Sequence, residues 1–135
     1  MPITWRVDHG ARVVIAVARG SVADADLTAY QRAVWSQPEI AGYDELLDVT
    51  EVKQPEVHRD GIRDAANLAA QLDDTRLAGR FAIVADSDVA YGLARMYQSY
   101  RELDRRSVRS VSVFRTMKEA LDFLGIDRSE LPDAF

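Results

Sequence analysis

The chain has 135 residues, 47% of them hydrophobic and 29% charged, and a formal net charge of −5. That length makes one domain able to bury about 70% of the surface its unfolded chain would expose, and the acidic balance argues against non-specific nucleic-acid binding, which needs a basic face. There is no cysteine, so disulfides, thiol nucleophiles and thiolate metal sites are excluded.

The opening MPITWRVDHG has no basic-then-apolar leader pattern. The longest apolar run, Val13–Ala18, is far shorter than the roughly 20 residues that span a bilayer. A soluble, cytoplasmic protein without integral membrane association is expected.

Ile3, Trp5 and Val7 alternate with Thr4, Arg6 and Asp8, the period of a half-buried strand. Asp8-His9-Gly10 reads as a turn with Gly10 at positive φ. Val13–Ala18 reads as a strand buried on both faces, ended by Gly20. Leu27, Tyr30 and Val34 then fall at helical spacing, behind Asp24 and Asp26, whose charges suit the positive end of a helix dipole. Pro38 stops that helix. YDELLDVTEV is a third strand centred on Leu46, Leu47 and Val49, and Pro55 marks the loop after it. Ile62, Ala65, Ala66, Ala69 and Leu72 form a narrow, alanine-rich stripe that lets a helix lie close to a sheet. RFAIVA is a fourth strand. Val89, Leu93, Met96, Tyr100 and Leu103 step by four and three, which predicts the core face of a long helix. RSVSVF is a fifth strand. The last helix opens on a capping box, Thr116 with Glu119, and closes at Gly125.

This order, β-β-α-β-α-β-α-β-α, predicts an α/β fold: a mixed, mainly parallel five-stranded sheet with right-handed crossovers and about four helices. Residues 1–126 are expected to form one domain, and 127–135, polar and proline-containing, a loosely held C-terminal tail.

Catalytic signatures are missing. There is no G-x-G-x-x-G, Walker A loop or G-x-S-x-G. His9 and His58 are too far apart to suggest a zinc site or a Ser-His-Asp triad. Glu56-x-His58-x-Asp60 has metal-ligand residue types, but alternation on a loop converges three ligands only where the chain bends suitably. No catalytic residue, metal or cofactor is implied.

Candidate binding residues come from topology. Open α/β sheets bind ligands outside the carboxyl ends of their strands, where Asp48 with Thr50, Asp86 with Ser87, and Arg115 with Thr116 are expected to lie. The plainer role of Asp86, Ser87 and Asp88 is to cap a helix. Their carboxylates disfavour an anion unless Arg95 or Arg115 offsets them. Tyr97 sits at the margin of the stripe through Val89 and Leu93, and Tyr91 well off it. These two tyrosines suit a homodimer face or the mouth of an apolar pocket, and Trp35 has the same two readings. Arg101, Arg105, Arg106 and Arg109 read as a solvated basic helix end, or as a contact for an anionic partner or lipid headgroup.

LLDVTEV and the helix after it, FAIVADSDVAYGLARMYQSY, and VSVFRTMKEALDFLG together resemble the small bacterial SpoIIAA-like proteins, relatives of the STAS domain and more remotely of the CRAL-TRIO lipid-binding fold. The resemblance spans residues 3 to 125 and is most specific over Ala82–Tyr97. It implies the same five-stranded architecture and a non-enzymatic regulatory or protein-interaction module, as a homodimer or with a protein partner. Its alternative implication is a carrier or sensor of a small apolar, lipid-like ligand. Regulatory members carry a phosphorylatable hydroxyl in a pattern like D-S-S-G-L. The nearest match is His58-Arg59-Asp60-Gly61-Ile62, with Asp60 in the acceptor's place and a longer spacing from Val52. Aspartate cannot accept that phosphate ester, so the phospho-switch is not expected. Asp60 then reads as a helix N-cap, or as a fixed carboxylate imitating the phosphorylated form.

Overall fold

Strands Ile3–Asp8 (β1) and Val13–Ala23 (β2) form an antiparallel hairpin. Asp44–Glu56 (β3), Arg80–Val84 (β4) and Ser110–Phe114 (β5) continue the sheet in parallel, in the order β1-β2-β3-β4-β5. The crossovers are Asp24–Trp35 (α1), Arg59–Leu72 (α2) and Asp88–Leu103 (α3), and Met117–Leu124 (α4) follows β5. The computed structural model describes residues 2–73, 77 and 79–131. This is the expected mixed, mostly parallel five-stranded sheet with four helices. Of the expected tail, Arg128–Glu130 form a short 3-10 turn, and residues 132–135 lie outside the described ones.

The layers follow from the strand order. Right-handed crossovers between successive neighbours place α1, α2 and α3 on one face of the sheet. Helix α4 crosses over to nothing and packs on the other face. Strand alternation serves both layers. Val14, Ala16, Leu47, Phe81 and Ile83 face the three crossover helices, while Val13, Ile15, Leu46, Ala82 and Val84 meet Ala120, Leu121 and Leu124 of α4. Val13–Ala18 is buried on both faces as its apolar run requires. Each Val, Leu or Ile taken fully inside contributes about 1.5–3 kcal/mol of transfer free energy. Thr116 caps α4 by accepting from the Glu119 N–H at 3.3 Å, and Gly125 ends it at φ 70°.

Several local expectations are corrected. In the hairpin turn the positive φ belongs to Arg12, at 56°, and not to Gly10. Asp8 Oδ1 accepts from the Ala11 N–H at 2.8 Å and closes that turn. Gly20, at φ 73°, does not end β2 but sits where its register against β3 shifts. A left-handed residue inside a strand marks such an irregularity. Nor is Pro55 in a loop. It pairs with Val22 in the far end of β3, where β4 is no longer alongside, and a proline without an N–H is tolerated on a strand's open edge.

Helix α3 is rotated from the face the sequence pattern predicts. Val89 and Leu103, the ends of the predicted stripe, are 63% and 81% exposed. The inward side carries Ala90, Ala94, Tyr97 and Arg101 instead, and Arg101 is only 2% exposed.

Candidate functional site

Several inward side chains of α2 and α3 are small. Ala65 and Ala69 on α2, and Ala90 and Ala94 on α3, face sheet residues that include Ala18. Small residues on both sides leave space unfilled. A cavity of about 150 Å³ lies there, between the sheet and α1, α2 and α3. Its body is apolar, walled by Val49, Ile62, Ile83 and Leu93 among others.

One end is polar. Glu45 stands on the same face of β3 as Leu47 and Val49, because alternate strand residues share a face. The Tyr30 hydroxyl of α1 donates to Glu45 Oε2 at 2.7 Å. Arg101 closes the same end from α3. It donates from Nη1 to the Tyr97 hydroxyl, from Nη2 to Asp73 Oδ2 and from Nε to Ser107 Oγ, each at 2.8 Å. Arg109 lies 4.3 Å over the Trp35 ring, donates to the Tyr43 carbonyl and is 3.9 Å from Asp73. The Tyr97 ring meets Phe81 edge-on with centroids 5.9 Å apart. Tyr30, Glu45, Asp73, Tyr97, Arg101 and Arg109 all line the cavity.

Burial sets the titration of this end. It pushes the Glu45 carboxyl up, against the opposing pull of Arg109, the Tyr30 hydroxyl, Trp35 and Arg101. Burial also raises Tyr30, with the Glu45 charge adding to it, and raises Tyr97 despite Arg101. An acid whose folded-state pKa is raised holds its proton more tightly folded than unfolded. The stability contributed by the Glu45 proton is therefore complete below the ordinary glutamate value and is lost as pH rises through the raised one. Between about pH 4 and pH 8 the urea midpoint of the wild type is expected to fall relative to Glu45→Gln, which cannot titrate. The opposite slope would mean that Arg109 and Arg101 outweigh burial.

No protein-family model and no curated protein matches the chain. Among solved structures, an uncharacterised DUF3478-family protein with a SpoIIAA-like fold from Shewanella loihica PV-4 superposes with a TM-score of 0.56. It is 15% identical and aligned over 90% of this chain and 93% of its own. The fold is SpoIIAA-like. An anti-sigma factor antagonist from Mycobacterium paratuberculosis is 16% identical over 91% of this chain and 94% of its own, with a TM-score of 0.49.

In this SpoIIAA-like frame the residues singled out from the sequence are scattered. Asp48 is not at the end of β3, which runs on to Glu56, but it does mark where β4 stops pairing. Its Oδ1 accepts from the Thr50 N–H at 2.8 Å. Ser87 is the α3 N-cap, accepting from the Ala90 N–H at 3.1 Å. Arg115 stacks 4.1 Å over Tyr91, pairs with Asp88 at 2.9 Å and reaches the Asp86 carbonyl. The acidic turn is thus used by its own helix and by Arg115. Arg95 is exposed on α3. Of the candidate binding residues the cavity takes Tyr97 and, from α1, Trp35.

Asp60 is corrected too. The N-cap of α2 is His58, and Asp60 is an exposed first-turn residue 3.6 Å from Arg63. The carboxylate serving that helix start comes from Asp24, which accepts from the His58 N–H at 2.9 Å and lies 3.1 Å from its Nδ1. Two arginines of the expected solvated cluster, Arg101 and Arg109, point inward, while Arg105 and Arg106 are exposed, Arg106 in a pair with Asp104 at 2.7 Å. Among the described residues no three His, Asp or Glu side chains stand where they could hold a metal ion, and no helix is long and apolar enough to cross a membrane.

The residues that build the polar end had weak sequence signals. Glu45 follows Asp44 at the start of its strand, just ahead of the apolar Leu46 and Leu47, and Gln31 lies beside Tyr30 and Val34 on the buried face of α1. A polar residue inside an apolar pattern is the informative exception.

Proposed function

We propose that this chain is a non-enzymatic regulatory module that senses or carries a small, mostly apolar molecule in the cavity beneath α1, α2 and α3. The cavity itself supports this reading. An apolar void is costly to leave unfilled, because its lining atoms lose their contacts, and an apolar space of about 150 Å³ is the size that holds one benzene ring. A protein-partner or homodimer role would call for a contiguous exposed apolar patch. Among the described residues the exposed large apolar side chains are Leu77, Val89 and Leu103, set before β4 and at opposite ends of α3.

Native mass spectrometry and thermal melting test the reading together. Toluene at saturating concentration is expected to raise the melting temperature, since a ligand that binds only the folded state stabilises it by mass action. Ala94→Leu, or Ala69→Val where the first variant folds poorly, fills the space and is expected to abolish the shift. A melting temperature indifferent to toluene, in a protein that purifies without an adduct, would overturn the proposal.

A further inference from the structure

Two polar groups at the cavity wall are poorly satisfied. Gln31 Oε1 is buried with no hydrogen-bond partner among the described residues, and the buried Trp35 indole N–H, although near enough to Glu45 to pull on that carboxyl, makes no hydrogen bond of normal geometry among them. Gln31 is only 7% exposed, and its orientation is fixed by its own amide, since Nε2 donates to the Ala65 carbonyl at 2.8 Å. That bond leaves the oxygen free. Both residues line the cavity, one helical turn apart on α1, where neighbouring side chains stand roughly 5–6 Å apart. One is a donor and the other an acceptor, and leaving both unmet is costly.

The charged groups at this end are already engaged. Arg101 serves Asp73, Tyr97 and Ser107, and Arg109 serves Tyr43, Trp35 and Asp73. Both guanidiniums are held by Asp73 and by their other partners, which leaves neither free for an anionic head group.

We infer that the cavity takes an uncharged, ring-sized molecule bearing one hydroxyl or amide, which accepts from Trp35 Nε1 and donates to Gln31 Oε1. This rests on the cavity being a ligand site and deepens that reading to a chemical class. A single six-membered ring fits the volume, and a long acyl chain does not.

Phenol and toluene have nearly the same shape and differ by the hydroxyl. Isothermal titration of toluene, phenol and benzoate into the full chain, Trp35→Phe and Gln31→Leu tests the inference. Phenol is expected to bind at least about tenfold tighter than toluene, the net effect of the two hydrogen bonds its hydroxyl makes. Trp35→Phe keeps a ring beneath Arg109 and is expected to cut that preference severalfold while toluene still binds, and Gln31→Leu to do the same. Equal binding of phenol and toluene would overturn the inference and leave the apolar site standing. Tightest binding by benzoate would overturn it in favour of an anion. Binding of none of the three would remove both the inference and the reading beneath it.

Discussion

Arg101→Met is expected to lower the unfolding free energy by about 3–5 kcal/mol, the cost of removing one member of a buried ion pair. Methionine keeps much of the arginine's volume, so the loss is electrostatic and not a packing defect. Three hydrogen bonds go at once, to Asp73, Tyr97 and Ser107. What remains is worse than an absence. Among the described residues Asp73, whose side chain is 8% exposed, then keeps the Val108 N–H at 3.1 Å and the Arg109 guanidinium at 3.9 Å, too little to solvate a carboxylate taken out of water. For a domain of this length the melting temperature should drop by roughly 10–20 °C. Arg106→Met is the control. Arg106 makes a pair of similar length with Asp104 on the surface, where solvent screens it, and its urea midpoint should hardly move. If Arg101→Met proved as mild as the control, water would have to reach the polar end of the cavity.

The second large effect changes sign with its background. A Cβ on Gly61 would lie 2.0 Å from Asp24 Cγ and 2.1 Å from its Oδ1. No contact that short survives, so Gly61→Ala must drive the Asp24 carboxylate off the start of α2. Lost with it are the bonds to the His58 N–H and Nδ1. Displacing a capping carboxylate costs about 0.5–2 kcal/mol, and overpacking adds about 1–3 kcal/mol. In an Asp24→Ala background the obstacle is gone. There Gly61→Ala should stabilise the protein by up to about 1 kcal/mol, because alanine is the better helix former. A double-mutant cycle by urea unfolding reads this coupling directly. Additive effects would mean that the carboxylate does not sit over Gly61 in solution.

The strand and helix order was legible because periodicity reports it: two for β1, three to four for α1 and α2, and an unbroken apolar run for the doubly buried β2. Helix α3 was misread for a physical reason. Two of its large apolar residues, Val89 and Leu103, lie on the outside, while its inward face holds two alanines, a tyrosine and an arginine beside Leu93. A pattern built on size and hydrophobicity chooses the wrong side when the inner face is small and ionic. The cavity was hidden for the same reason, since space left by alanines is invisible until three helices are placed over one sheet. Capping at Ser87 and Thr116 was readable, because a cap acts within four residues. The carboxylate over α2 was not, since Asp24 and His58 are distant in the chain and only the crossover joins them.

The strand order has a consequence for how the molecule forms. Each strand from β1 to β5 pairs with the one before it in the chain, so a nascent polypeptide can lay the sheet down from one edge to the other without waiting for a later segment to insert. Glu45 emerges with β3, but Arg101 and Arg109 come only with α3 and the segment before β5. During synthesis the carboxyl therefore has no cation to meet, and it stays hydrated or holds its proton until the last third of the domain arrives. Closure of the interior thus waits for the late arginines, and a chain released before β5 would carry an open, wet half-core.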